Sequence, residues 1–139
     1  MERYLYFRTE ATDANDDARG DSACWPASSL MGMQPVGDSE LALYFKAMRR
    51  GVPSGNEPDA DASFDNNDSV VLNLTTANTH LTAMKTIVHA VNAGRVLGSN
   101  TVLPQMIIVA NDDSGGTEYL SGSGITSCGT ISVSSAYAN

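Results

Sequence analysis

The main shortage in this sequence is of charge. Charged residues make up 17% of the 139 residues, against about 25% in an average soluble domain. Positive charge is scarcest, with 8 lysine and arginine residues against 16 aspartate and glutamate residues and a net charge of −8. So few basic residues cannot form a broad phosphate-binding surface, so we expect no nucleic-acid partner and no anionic membrane partner. A surface poor in charge suits a protein covered by neighbours, although ordinary compositional variation gives the same numbers.

Long apolar runs and cysteines are also scarce. No run approaches the ~18 apolar residues that a membrane-spanning helix needs. The opening Met1-Glu2-Arg3-Tyr4 lacks the basic and apolar regions of a secretory signal, so we expect no secretion. In a reducing cytoplasm the two cysteines, Cys24 and Cys128, are free thiols by default, with a disulfide between them as the alternative.

The hydrophobic pattern predicts strands and one helix. Apolar residues at helical spacing lie within an arc of about 120° on residues 79–93, namely Leu81, Met84, Ile87, Val88 and Val91. Alternating or continuous apolar residues predict strands at 3–9, 40–48, 69–76, 105–110, 118–120 and 130–134. The strand, helix and strand over 69–110 predict a right-handed crossover between parallel strands. We therefore expect a single α+β domain over residues 1–139, with one small mixed β-sheet, one helix packed on one face, and long irregular loops.

Two segments are predicted to be loops. Residues 10–39 are rich in Asp, Asn, Ser, Gly and Pro and are expected to form a long loop or arm, and residues 51–68 an exposed acidic loop. Trp25, Met31 and Met33 lie in the first of them. Large apolar residues in a polar loop either fold back on the domain or anchor a subunit contact, where Trp and Met are favoured. We take these three residues as the candidate interface.

One segment has the beginning of a calcium-binding pattern. Asp13, Asn15 and Asp17 have the alternating spacing of such a loop, but Ala18 stands where glycine is required and Cys24 where glutamate is required. The calcium-loop pattern therefore fails, and a solvated turn is the simpler interpretation, with a loose divalent-cation site as the alternative.

The residue types that carry catalysis do not form a recognisable set. His80 and His89 are nine residues apart and do not share one face of the predicted helix closely enough to bind one metal ion. No Ser-His-Asp or Cys-His grouping and no phosphate-binding glycine motif is evident. We therefore expect no catalytic residues, no cofactor and no metal, and a protein that is not an enzyme.

Three segments carry a resemblance to a known group of proteins. They are Glu2 to Thr9 (ERYLYFRT), the stretch from Asp21-Ser-Ala-Cys24 through Gly32-Met-Gln-Pro35 with Leu43-Tyr-Phe-Lys46, and Ile125-Thr-Ser-Cys-Gly129. Together they resemble small virion structural proteins of marine and cyanobacterial tailed phages. The resemblance implies a virion component made in the host cytoplasm and present in many copies, and it implies no site residue.

The expected function follows from both arguments. The residues favour a protein that works by binding its own copies or a larger assembly. With the resemblance, we expect a head decoration or cement protein that stabilises the capsid, a homo-oligomer bound to the major capsid protein or another virion protein. A tail or receptor-engaging binding module of the virion is the alternative.

Overall fold

The computed structural model describes residues 3–48, 67–92 and 106–133, which form eight strands and one α-helix. The elements are β1 Tyr4–Arg8, β2 Ser22–Pro26, β3 Leu30–Gly37, β4 Glu40–Lys46, β5 Asn67–Leu74, α1 His80–Asn92, β6 Met106–Asn111, β7 Glu118–Tyr119 and β8 Ile125–Ser132. Two short 3-10 helices at Asp13–Asn15 and Ala27–Ser29 precede β2 and β3.

The strands form two four-stranded sheets. The first has the order β2-β1-β6-β7, in which β1 and β6 are parallel and the other pairs antiparallel. The second has the order β3-β4-β5-β8 and is antiparallel throughout. The predicted α+β class is confirmed, but two sheets take the place of the single predicted sheet.

The predicted parallel crossover between β5 and β6 is wrong. The two strands lie in different sheets, and the parallel partner of β6 is β1. The chain between them contains α1, which contacts β3 of one sheet and β6 of the other. A strand–helix–strand pattern favours a parallel pair only when both strands enter the same sheet, and the hydrophobic pattern does not specify sheet membership.

The core lies between the two sheets and uses the predicted alternation. On β1, β4 and β5 the completely buried apolar residues occupy every second position, namely Leu5 and Phe7 on β1, Leu41, Leu43 and Phe45 on β4, and Val70 and Leu72 on β5. Trp25 stacks on Phe45 with ring centroids 4.5 Å apart and planes at 4°, and Phe7 meets both rings edge-on. Because β1 and β2 belong to one sheet and β4 to the other, this aromatic cluster joins the sheets.

The helix forms where predicted, but its buried face is rotated from the predicted one. Ala83 and Ile87 are completely buried, whereas Leu81 is 63% and Val88 47% exposed. The helix contacts one strand from each sheet and not one face of a single sheet. The apolar pattern did not select Ala83, although its side chain is completely buried.

The prediction of a long loop over residues 10–39 is largely wrong, because residues 22–26 and 30–37 form strands. Both are outer strands of their sheets, where glycine and proline are tolerated because no ladder continues on one side. Residues 51–66 of the predicted acidic loop lie outside the described residues. Asp68, at the end of that prediction, is in β5 and is fully buried.

Candidate interaction surface

The structure separates the three predicted interface residues. Trp25 is 1% exposed and lies in the core, so its prediction as a contact residue is wrong. It folds back on the domain because its ring stacks on Phe45 and its indole N–H donates to Asp68 Oδ2 at 2.8 Å. Met33 is partly buried against the core, and Met31 is 54% exposed.

Met31 belongs to an outer strand with two irregularities. The pairing of β3 with β4 shifts register between Leu30 and Gly32 and again between Pro35 and Gly37. Met31 and Val36 are therefore the extra residues of two β-bulges, which redirect side chains at sheet edges. Both are large and apolar, and Val36 is 47% exposed. Sequence analysis missed Val36, whose only signal was an apolar residue after proline in a polar stretch.

The backbone edge of β3 has few contacts among the described residues. β3 is a terminal strand of its sheet. Besides the ladder to β4, its backbone accepts a hydrogen-bond contact from Nε2 of His80 at Gly37 O, 2.8 Å away at the end of the strand. This contact makes His80 the residue that attaches the start of α1 to β3. We call the segment Leu30–Gly37 the β3 edge.

The opposite edge of the same sheet is covered by side chains. The backbone N–H of Cys128 on β8 donates to both carboxylate oxygens of Asp112 at 3.1 Å, and the hydroxyl of Thr9 donates to Cys128 O at 3.1 Å. The Asp112 carboxylate also accepts the phenol of Tyr119 at 2.6 Å. Burial first, and then this carboxylate, raises the pKa of Tyr119 to about 12. The middle of the β8 edge is therefore occupied by the first sheet.

Charge is unevenly distributed between these regions. The sixteen residues Ser22–Gly37, which form β2 and β3, contain no charged residue. Residues 8–21 and 111–118 contain eight acidic and two basic residues, a net charge of −6 out of −8 for the chain. The two segments are joined by hydrogen bonds from Asp112 N to Arg8 O and from Ser114 N to Ala11 O. We call them together the acidic pole.

Arg8 occupies the centre of the acidic pole. Its guanidinium contacts carboxylate oxygens of Asp13 at 2.8 Å and of Asp16 and Asp113 at 3.6 Å, while its own side chain is nearly buried. The hydrogen bond to Asp13 raises the pKa of Arg8 above its ordinary value, against the opposing effect of burial. Asp13 and Asp16 of the calcium-like segment thus contact Arg8. The described residues contain no group of three or more His, Cys, Asp or Glu that could hold a metal ion.

The two cysteines are unpaired and lie in different environments. Cys24 on β2 is partly exposed and Cys128 on β8 is buried. Burial raises the pKa of both thiols, and for Cys128, with a further contribution from Asp112, to about 12. Both are therefore protonated at neutral pH and are weak nucleophiles.

In the part of the chain that the structure describes, no helix is both long enough and apolar enough to cross a membrane. Comparison of the chain with protein-family models, with curated proteins and with solved structures finds no match.

Proposed function

We propose that this chain is a virion structural protein, a head decoration or cement protein that binds as an oligomer to the major capsid protein or another virion protein. The observation that carries the proposal is the β3 edge, an outer strand without charge that exposes Met31 and Val36. Methionine is enriched in protein interfaces and charged residues are depleted at their centres. The sequence resemblance to phage virion proteins supports the biological setting.

The remaining chemistry of the described residues supports binding as the mode of action. The polar groups with the closest contacts join parts of the fold to one another: Arg8 holds the acidic pole, and Asp112 holds β8 against the first sheet. The buried Asp68 accepts hydrogen bonds from Trp25 and from the backbone of Met48. These groups stabilise the fold that presents the outer strands.

The experiment is cryo-electron microscopy of phage particles assembled with and without this protein, followed by addition of the purified protein to the deficient particles. We expect density for the protein on the head, restored by addition, and heads that release DNA at a lower temperature when it is absent. Density at the tail would replace this proposal with a tail or receptor-engaging module. Particles with unchanged composition and stability, and no binding of the added protein, would contradict both.

A further inference from the structure

We infer that two copies of this chain associate through their β3 edges across a twofold axis and form a closed dimer. The inference rests on the proposed function for its setting, because it names the contact between copies of the virion protein. Its structural basis is the distribution of charge, the difference between the two edges of the second sheet, and the positions of Met31 and Val36.

Charge selects a second copy as the occupant of the β3 edge. Two copies that each carry a net charge of −8 repel one another, most strongly where the acidic poles face each other. Contact through the uncharged segment Ser22–Gly37 brings no charged side chain of that segment against its counterpart. A basic partner would be attracted most strongly to the acidic pole, whereas an identical acidic copy would be repelled most strongly there. The uncharged edge thus matches a second copy better than it matches a partner of opposite charge.

The two edges of the second sheet favour a closed assembly over a filament that extends this sheet. An open filament would need both β3 and β8 to be available, because each copy would add its β3 to the β8 of the next. Cys128 on β8 already has its N–H bonded to Asp112 and its C=O bonded to Thr9. Among the described residues of the second sheet, the β3 edge is the one without such cover. A β3-to-β3 contact about a twofold axis is self-complementary and consumes the β3 edge of both copies.

The position of the axis follows from the strand. The midpoint between Met31 and Val36 along β3 lies between Met33 and Gln34. A twofold axis perpendicular to the sheet sets the two strands antiparallel with one residue opposite its own copy. An axis at Met33 or Gln34 therefore brings Met31 of each copy beside Val36 of the other. Because Pro35 has no N–H and both ends of the strand are bulged, the backbone can form only a short ladder. The contact therefore depends on the side chains of Met31 and Val36.

The first test is sedimentation equilibrium and light scattering on the full chain, with M31D/V36D and the control L81D/V88D. The control also places two carboxylates on exposed apolar positions, but on α1. We expect the wild-type chain and the control to have twice the 14.6 kDa mass of one chain. M31D/V36D should dimerise about 100-fold more weakly, because each substitution replaces an apolar contact with a carboxylate that faces a second acidic copy, at about tenfold each. Circular dichroism spectra and thermal midpoints check that every variant is folded.

Salt supplies a second measurement on the wild-type chain. Screening reduces the repulsion between two acidic copies, so the dimer should strengthen as ionic strength rises from about 0.01 M to about 0.5 M. Contact driven by opposite charges would weaken over the same range. A wild-type chain that is monomeric at several hundred micromolar, or an M31D/V36D variant that dimerises like the wild type, overturns the inference.

Cross-linking tests the register without depending on the charged variants. In a C24S background, which removes the partly exposed thiol, M31C mixed with V36C should form a disulfide-linked dimer under mild oxidation, and either variant alone should form far less. Equal cross-linking of all three samples contradicts the proposed axis. A monomer that binds capsids would remove this inference and leave the proposed function standing. A β3-linked dimer without affinity for any virion component would support this inference and contradict the proposed function.

Discussion

The indole Nε1 of Trp25 lies 2.8 Å from Oδ2 of Asp68, and both side chains are closed to solvent. The hydrogen bond joins β2 of the first sheet to β5 of the second. The same oxygen accepts the backbone N–H of Met48 at 2.9 Å, beyond the end of β4. Next to it, Trp25 stacks on Phe45, so one residue supplies both an apolar and a polar connection between the sheets.

This arrangement predicts a large effect of replacing the indole. W25F takes a donor from a buried carboxyl group and leaves part of the buried indole volume unfilled, so it should lower the free energy of unfolding by about 2–4 kcal/mol. D68N keeps an oxygen acceptor for Trp25 and should cost less than D68A. The measurement is urea denaturation followed by circular dichroism. Y4F, an exposed aromatic position, is the control and should change stability by less than about 0.5 kcal/mol.

Asp112 predicts a second stability effect that is specific to a carboxylate. D112A leaves the buried N–H of Cys128 and the phenol of Tyr119 without their acceptor, so we expect a loss of about 1–3 kcal/mol. D17A, an exposed acid of the acidic pole, should be close to neutral. Amide hydrogen exchange should report faster exchange at Cys128 in D112A. Unchanged exchange there would show that Asp112 does not protect the β8 edge.

The raised pKa values of Tyr119 and Cys128, each about 12, predict alkaline destabilisation. Both groups ionise more easily in the unfolded chain, so their contribution to stability is complete below the ordinary pKa of each and is lost as pH rises through the folded value. The free energy of unfolding should therefore fall from about pH 9, where an unfolded thiol ionises, to about pH 12. Y119F should have a shallower fall than the wild type, and a flat profile would contradict the raised values.

The different burial of the two cysteines predicts selective modification. A thiol reagent at neutral pH should label Cys24, which is partly exposed, and should label Cys128 only when the chain unfolds. Mass spectrometry of the native and urea-unfolded protein measures one and two labels, respectively. The C24S variant should remain unlabelled in the native state. If the native chain has no reactive thiol until a reductant is added, the result would support the alternative of a disulfide between the two cysteines.

The neighbouring residues Ile87 and Val88 test the orientation of α1. I87A removes a fully buried side chain and should cost about 2–5 kcal/mol, as large-to-small core substitutions do. V88A, at a position 47% exposed, should cost less than about 1 kcal/mol. Thermal and chemical denaturation give both values. Equal losses would place Val88 in the core, as the apolar pattern alone predicts.

Sequence reasoning succeeded where burial repeats with a regular period. The alternation around Leu5, Leu43 and Leu72 identified three strands and their inward faces, because every second side chain of a strand points to the same face. It failed for β2 and β3, whose small and polar residues have no clear period. An outer strand can satisfy its backbone on one side while its composition remains that of a loop.

The candidate interface changed for a related reason. The polar sequence neighbours of Trp25 left open whether it folds back on the domain or anchors a subunit contact. Asp68 and Phe45, which cover it, are distant in the chain. Val36 became a candidate only when the register of β3 against β4 identified it as a bulged residue. Met31 is the one residue of the predicted three that stays a candidate contact on an exposed surface.

The sequence by itself determined the shortage of positive charge, the uncharged run Ser22–Gly37, the inward faces of the central strands and the approximate limits of α1, because these are local properties of composition and period. Only the tertiary structure decided that the strands divide into two sheets, that Trp25 lies inside, and that β8 is covered while Met31 and Val36 lie on an outer strand. Each of these depends on contacts between residues far apart in the chain, which no local pattern specifies.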